Sequence, residues 1–194
     1  MITTSTWQAT PSQGNQWLKP YYFWRAAFSI AWVAAAFTVG KSIPVVGALL
    51  LLVYPAWDAA ANFVDAQRNG GLARNRTQAL NMIVSGATTA AVAIALGMSM
   101  NAVLGVMGAW AILSGAFQLA TGVRRWSSHG AQWAMILSGA QSALAGGFFI
   151  KQATGPAAPS ITDFAPYAAF GAFYFLVSAV WLTVSDARRK NAAS

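Results

Sequence analysis

Residues 54–68, Tyr54-Pro55-Ala56-Trp57-Asp58-Ala59-Ala60-Ala61-Asn62-Phe63-Val64-Asp65-Ala66-Gln67-Arg68, decide how the chain folds. The stretch runs on directly from the apolar segment 45–53, which has the character of the middle of a membrane helix. A carboxylate in such a segment costs roughly 2.5–3.5 kcal/mol at a helix centre on insertion scales. Pro55, one turn before Asp58, leaves the Leu51 carbonyl without its helical donor. Tyr54, Asp58, Asn62 and Asp65 follow helical spacing and share a face. A helix does not turn such a stripe toward lipid, so this face meets protein or water. The rest of the chain has to supply its partners.

Composition sets the solvent. With 57% hydrophobic and 8% charged positions in 194 residues, a soluble domain would have too little polar surface to stay dispersed. The bilayer is the natural environment. The acids are four, all Asp, against 12 Lys and Arg. The chain has no Cys, which excludes disulfides and thiolate metal sites. Its single His, His129, sits in a charged loop with no second His or Cys to share a metal, so no metal or other cofactor is expected. There is no Ser/His/Asp grouping, no phosphate-cradling glycine loop and no carboxylate pair at one depth, and the chain is not expected to be an enzyme. Trp126, Trp133 and the Pro20–Trp24 cluster read as an interfacial aromatic belt, with no nucleic-acid partner implied.

Six apolar segments of near-spanning length follow one another, at about 20–39, 43–66, 77–97, 99–123, 131–151 and 164–186. The expected fold is therefore an all-α polytopic membrane protein. A polar tail, residues 1–19, precedes the six-helix domain of residues 20–190, and 191–194 form a short second tail. The first tail lacks a basic region followed by a small-residue cleavage site, so no cleaved signal peptide is expected. It reads as mobile, with its last turn on the interface. The connections Gly40–Ser42 and Gly97–Ser99 are very short and make antiparallel hairpins. The loops 67–76 and 124–130 are longer and basic. All Lys and Arg residues except Lys41 and Lys151 lie on the side of the N-terminus, which places both termini in the cytoplasm.

Three hairpins invite a search for a repeat. A shift of 56 lays Ser29 on Ser85, Tyr54 on Trp110, Asp58 on Ser114, Asn62 on Gln118 and Arg68 on Arg124. A further shift of 53 lays Ser85 on Ser138, and one of 64 lays Trp110 on Tyr174 and Ser114 on Ser178. The longer loop 152–163 accounts for the difference. The copies are parallel, so approximate threefold symmetry about the membrane normal is expected. Small residues at four-residue spacing, Ser138/Ser142/Gly146 and Gly105/Ala109 among them, point to close helix packing.

The repeat also aligns polar faces. Asn62, Asn81, Ser114, Gln118, Ser138, Gln141 and Ser178 fall on an inward stripe. Counted from the turn at Lys41, Arg25 and Asp58 lie at matching depth, roughly 25 Å away at about 1.5 Å per residue. An intramembrane ion pair between them is expected, with Asn62 or Asn81 completing its hydrogen bonds. Arg68, Arg74, Arg76, Arg124, Arg125, Arg188 and Arg189 should form a basic ring at the cytoplasmic face. That ring serves positive-inside anchoring or, alternatively, a site for anionic lipid headgroups or a protein partner.

The hairpin pattern, in which a Trp-containing Leu-Ser-Gly helix ends in an Arg pair, resembles the HdeD family of small bacterial inner-membrane proteins. Residues 108–115, running to Arg124-Arg125, and residues 133–139 carry the likeness. The resemblance implies a six-helix inner-membrane protein with a link to acid resistance, and it supplies no catalytic residues. The expected function is a non-enzymatic role in acid or envelope stress tolerance, through the lipid bilayer, a homo-oligomer or a protein partner. The alternative is a small proton-coupled transporter or channel using the polar stripe and Arg25–Asp58. A wide cavity around Asp58 and Gln118 would favour transport, and a dry, closely packed interior would favour the structural role.

Overall fold

The computed structural model describes residues 11–127 and 132–191. His129 and residues 1–10 and 192–194 of the two tails lie outside the described residues. Six helices follow in order: α1 (Pro11–Ala35, continued by a π-helical turn Ala36–Gly40), α2 (Pro44–Arg68), α3 (Arg76–Leu96), α4 (Met100–Arg124), α5 (Gln132–Ala153) and α6 (Ile161–Asn191). No strand occurs among the described residues. Each helix contains a segment long and apolar enough to cross a membrane, and the chain is a multi-pass membrane protein.

Local chemistry sets the helix ends. Pro44 stands at the start of α2, where its missing N–H would have no helical partner in any case. Ser99 caps α4, its hydroxyl accepting from the Ala102 N–H at 3.0 Å. In the loop 69–75, Gly70 and Gly71 take φ of 94° and 89°, which a side chain would strain. Asn75 then ties the loop down, its Nδ2 donating to the Asn69 and Gly71 carbonyls at 2.8 and 2.9 Å.

The first helix starts earlier than the apolar pattern implies. It runs from Pro11, with Pro20 inside it, so residues 11–19 are helix rather than tail. Tertiary packing extends it. Leu18 and Tyr22 are buried against Ala179 and Leu182 of α6, and Lys19 pairs with Asp186 at 2.6 Å. The same pairing draws α6 on to Asn191.

The helices close into a ring. The broadest contacts are α4 with α5, α1 with α6 and α2 with α3, so neighbouring hairpins pack on each other more than most hairpins pack on themselves. Positions related by the repeat are buried alike. Asp58, Ser114 and Ser178 are 6%, 7% and 5% exposed, and Ser29, Ser85 and Ser138 are buried too. Outside the ring, residues such as Trp24, Ile94 and Val45 are well exposed and present the apolar surface a bilayer solvates.

The close helix approach uses Gly146 of the expected small-residue rows, together with Gly108, Gly115 and Gly139. A Cβ on Gly115 would lie 2.5 Å from the Gly139 carbonyl oxygen, and one on Gly146 would lie 2.4 Å from that of Gly108. Gly108/Gly115 and Gly139/Gly146 thus face each other across α4 and α5 at seven-residue spacing. A four-residue row drifts around the helix, whereas a seven-residue row stays near the contact line of two helices lying almost along each other. Gly147, next to Gly146 but turned off the contact line, has nothing within 4 Å of where a Cβ would stand.

An aromatic layer fills the half of the ring nearer the Lys41 turn. Trp32, Tyr54, Trp110 and Phe164 are buried in it. Tyr54 meets Trp32, Trp110 and Phe164 edge-on at centroid distances of 5.1, 5.9 and 5.4 Å. Edge-on contacts of this kind add about 0.5–1.5 kcal/mol each beyond area burial.

Candidate functional site

A cavity of about 450 Å³ occupies the ring interior. Its volume lies in the range of small-ligand pockets, roughly 300–1,000 Å³. Arg25, Asp58, Asn62, Asn81, Ser114, Gln118, Ser138 and Gln141 all line it, so the structure gathers nearly the whole inward stripe on one wall system. Ser178 is buried at its repeat position and does not line the cavity.

Asp58 is the most heavily bonded group there. Arg25 Nη2 donates to its Oδ1. Asn62 Nδ2 and Ser85 Oγ donate to its Oδ2 at 3.0 and 2.8 Å. Asn62 therefore completes the carboxylate as expected of one of two candidates, while Asn81 does not. Asn81 instead accepts from Ser114 Oγ at 3.1 Å. Ser85 takes the vacant place because it stands on α3 opposite Asp58, and its oxygen also accepts from Trp110 Nε1 at 2.9 Å. One hydroxyl thus joins α2, α3 and α4.

Arg25 is embraced from the other side. Its Nη1 donates to Tyr21 Oη at 3.0 Å, and its guanidinium lies 4.3 Å from the Phe175 ring centroid. Its Nε is buried and has no hydrogen-bond partner among the described residues. Tyr21 and the buried Tyr22 belong to the cluster read as interfacial belt, and both line the cavity. Of the aromatic residues in that cluster, Phe23 and Trp24 point outward. Helical spacing explains the split: Tyr21, Tyr22 and Arg25 share a face, and Trp24 does not.

A second ion pair lies at the end of the same wall nearer the loops 69–75 and 125–131. Arg125 Nη1 meets Asp65 Oδ2 at 3.3 Å, and Asn69 Nδ2 donates to Asp65 Oδ1 at 2.8 Å. Arg125 is 8% exposed, so it leaves the expected basic ring and points inward. The signal was in the sequence: Asp65 follows Asp58 by two turns on one face, and of two adjacent arginines only one can face in. The remaining members, Arg68, Arg74, Arg76, Arg124, Arg188 and Arg189, are exposed. Arg68 stacks on Trp17 at 4.8 Å, Arg124 bonds Thr77, and Arg189 bonds Asp186.

The chemistry this wall offers is hydrogen bonding, with one carboxylate, Asp163, in excess of its two ion pairs. Two arginines are matched by two aspartates. Gln118 and Gln141, half-buried on the neighbouring helices α4 and α5, make no hydrogen bond within the described residues and present both donors and acceptors. No group of three His, Cys, Asp or Glu able to hold a metal occurs among the described residues.

Residues 79–151 match the family model described as a short repeat of unknown function, DUF308. No curated protein and no solved structure matches the chain. The matched stretch takes in most of α3, all of α4 and most of α5, and so contains the Gly108/Gly146 and Gly115/Gly139 crossing. The chain is similar to a short repeat over the part where its own hairpin repeat packs most tightly.

Proposed function

We propose that the protein is a non-enzymatic multi-pass protein of the bacterial inner membrane, with cytoplasmic termini, that takes a small guest into its central cavity. The observation that carries this reading is the 450 Å³ space walled by Gln118, Gln141 and the Arg25–Asp58 pair. A purely structural bundle would fill that space with side chains, since membrane interiors pack as densely as soluble ones. The resemblance to the HdeD family supports a role in acid or envelope stress tolerance. The exposed arginines at one end support anchoring on anionic headgroups.

Transport is the second reading, favoured by a cavity that reaches both Asp58 and Gln118. Asp58 itself argues for an anchor rather than a proton carrier, because Arg25, Asn62 and Ser85 already occupy its oxygens. The test is native mass spectrometry of the protein released from nanodiscs. A bound mass retained by the wild type and lost in Gln118→Leu/Gln141→Leu supports guest binding, and an empty cavity in both overturns it. Proton flux into liposomes that disappears in Asp58→Asn would replace binding by transport as the primary activity.

A further inference from the structure

The cavity wall is incomplete between α5 and α6. Leu144 and Phe148 of α5 and Phe170 of α6 line the cavity, yet they are 76%, 63% and 52% exposed on the outside of the ring. One side chain can face both spaces only where the wall is open. α5 and α6 are among the neighbouring helices with the slightest contact. They touch at separated heights: Trp133 meets Trp181 edge-on at 5.8 Å, Ser142 Oγ meets Tyr167 Oη at 2.8 Å, and Phe149 meets Phe164 at 5.5 Å. Gly171 of α6 lines the cavity at a height between the first two contacts, and a Cβ there would face the Tyr54 hydroxyl at 3.5 Å and no atom of α5 within 4 Å.

Resting on the guest-binding reading above, we propose that this gap is a lateral opening to the bilayer, and that the guest is a single-chain amphiphile with an uncharged, hydrogen-bonding head. Its tail lies along Leu144, Phe148 and Phe170, and its head sits among Gln141, Gln118 and Asn81. The charge pattern selects the head. Arg25 is matched by Asp58 and Arg125 by Asp65, so an ionic head would have to break a buried pair. The remaining lining carboxylate, Asp163, is held by Ser160 and Gln152 in the first turn of α6, where the helix dipole favours it. Free carboxamides instead reward a hydroxyl, ester or amide, which both donates and accepts.

The opening selects the tail. An alkyl chain passing from lipid into a groove of Leu and Phe side chains exchanges one apolar surrounding for another, so it enters without a large cost and without a large gain. Affinity then resides in the head, which finds hydrogen-bonding groups that the hydrocarbon region lacks. A water-soluble solute would gain nothing from the exposed Leu144, Phe148 and Phe170.

The test uses the full chain in zwitterionic nanodiscs with a monoacylglycerol carrying a diazirine in its acyl chain. Irradiation and peptide mass spectrometry should place label on Leu144, Phe148 and Phe170. Excess unlabelled monoacylglycerol should compete it away, and lysophosphatidylglycerol or oleate at neutral pH should not. Gln118→Leu/Gln141→Leu should weaken labelling about tenfold, the equivalent of roughly 1.4 kcal/mol from two lost hydrogen bonds. Leu144→Trp, which narrows the opening without touching the head groups, should lower it as well. Uncompeted label spread over outward residues such as Trp24 and Ile94, or stronger competition by the anionic lipids, would overturn the proposal. A water-soluble guest in the native mass spectrum without cavity labelling would end this inference and leave guest binding standing. No guest of either kind would end both.

Discussion

Ser114 donates a hydrogen bond to Asn81 at 3.1 Å, and these two residues hold the positions that Asp58 and Arg25 hold one repeat earlier. In the third hairpin the same positions carry Ser178 and Ala134, where no such bond forms. Equivalent repeat positions are therefore filled by an ion pair, a hydrogen-bonded neutral pair and a pair whose alanine has no polar side chain to bond. The ion pair is one solution to a packing position, and the charge itself is replaceable if both members change together.

Removing one partner leaves the other charge buried and unmatched, which costs about 3–5 kcal/mol. Asp58→Ser or Arg25→Asn alone should lower the unfolding midpoint sharply in detergent or nanodiscs. The double replacement, Arg25→Asn with Asp58→Ser, copies the second hairpin and should recover most of that loss. Additive damage in the double variant would mean that the two sites are not equivalent.

The glycine crossing of α4 and α5 gives a sharper contrast. Gly115→Ala and Gly146→Ala each push a methyl against a carbonyl oxygen closer than 3 Å, so the helices must separate. A cost of roughly 1–3 kcal/mol, the range for overpacking, is expected for each. Gly147→Ala and Gly86→Ala meet open space and should be neutral or stabilising by up to about 1 kcal/mol, as helix propensity favours alanine. Four melting curves decide it; equal effects across all four would remove the crossing as the tight contact.

Much of this was legible in the sequence because lipid imposes simple rules. Segment length and apolarity fix six spans, and depth matching across a short turn brings Arg25 to Asp58. The repeat register, found as shared offsets, reappears as shared burial at Asp58, Ser114 and Ser178. What stayed hidden depends on rotation and crossing angle, which a one-dimensional pattern does not carry. Small-residue rows exist at both four- and seven-residue spacing, and only the crossing geometry selects between them. Likewise Ser85 and Asn81 are a turn apart on α3, and which of them reaches Asp58 depends on how α3 is rotated against α2. The gap between α5 and α6 reflects sparse contact between the two helices, which leaves no motif.

The inward turn of Arg125 separates it from its neighbour. Arg125→Gln strands Asp65 in a buried setting and should destabilise the fold by about 3–5 kcal/mol. Arg74→Gln and Arg76→Gln, both at exposed positions, should leave the midpoint within about 0.5 kcal/mol of wild type while weakening association with anionic liposomes. A melting scan and a vesicle-sedimentation assay on the same three variants separate the roles. Should Arg125→Gln melt like the exposed pair, the inward ion pair is not contributing to the fold.

Ser85 offers the finest test of the network, because its one oxygen serves two helices. It donates to Asp58 at 2.8 Å and accepts from Trp110 Nε1 at 2.9 Å, and it is fully buried. Ser85→Ala leaves the indole N–H without an acceptor and removes one of the donors on Asp58. Each such bond inside a membrane protein is worth about 0.6 kcal/mol, up to roughly 2. Trp110→Phe alone loses the indole bond but frees no buried acceptor, since the hydroxyl still has Asp58. The two losses therefore overlap at one bond, and a double-mutant cycle of Ser85→Ala with Trp110→Phe should show coupling of about 1 kcal/mol. Strict additivity would mean that the hydroxyl does not join α3 to α4.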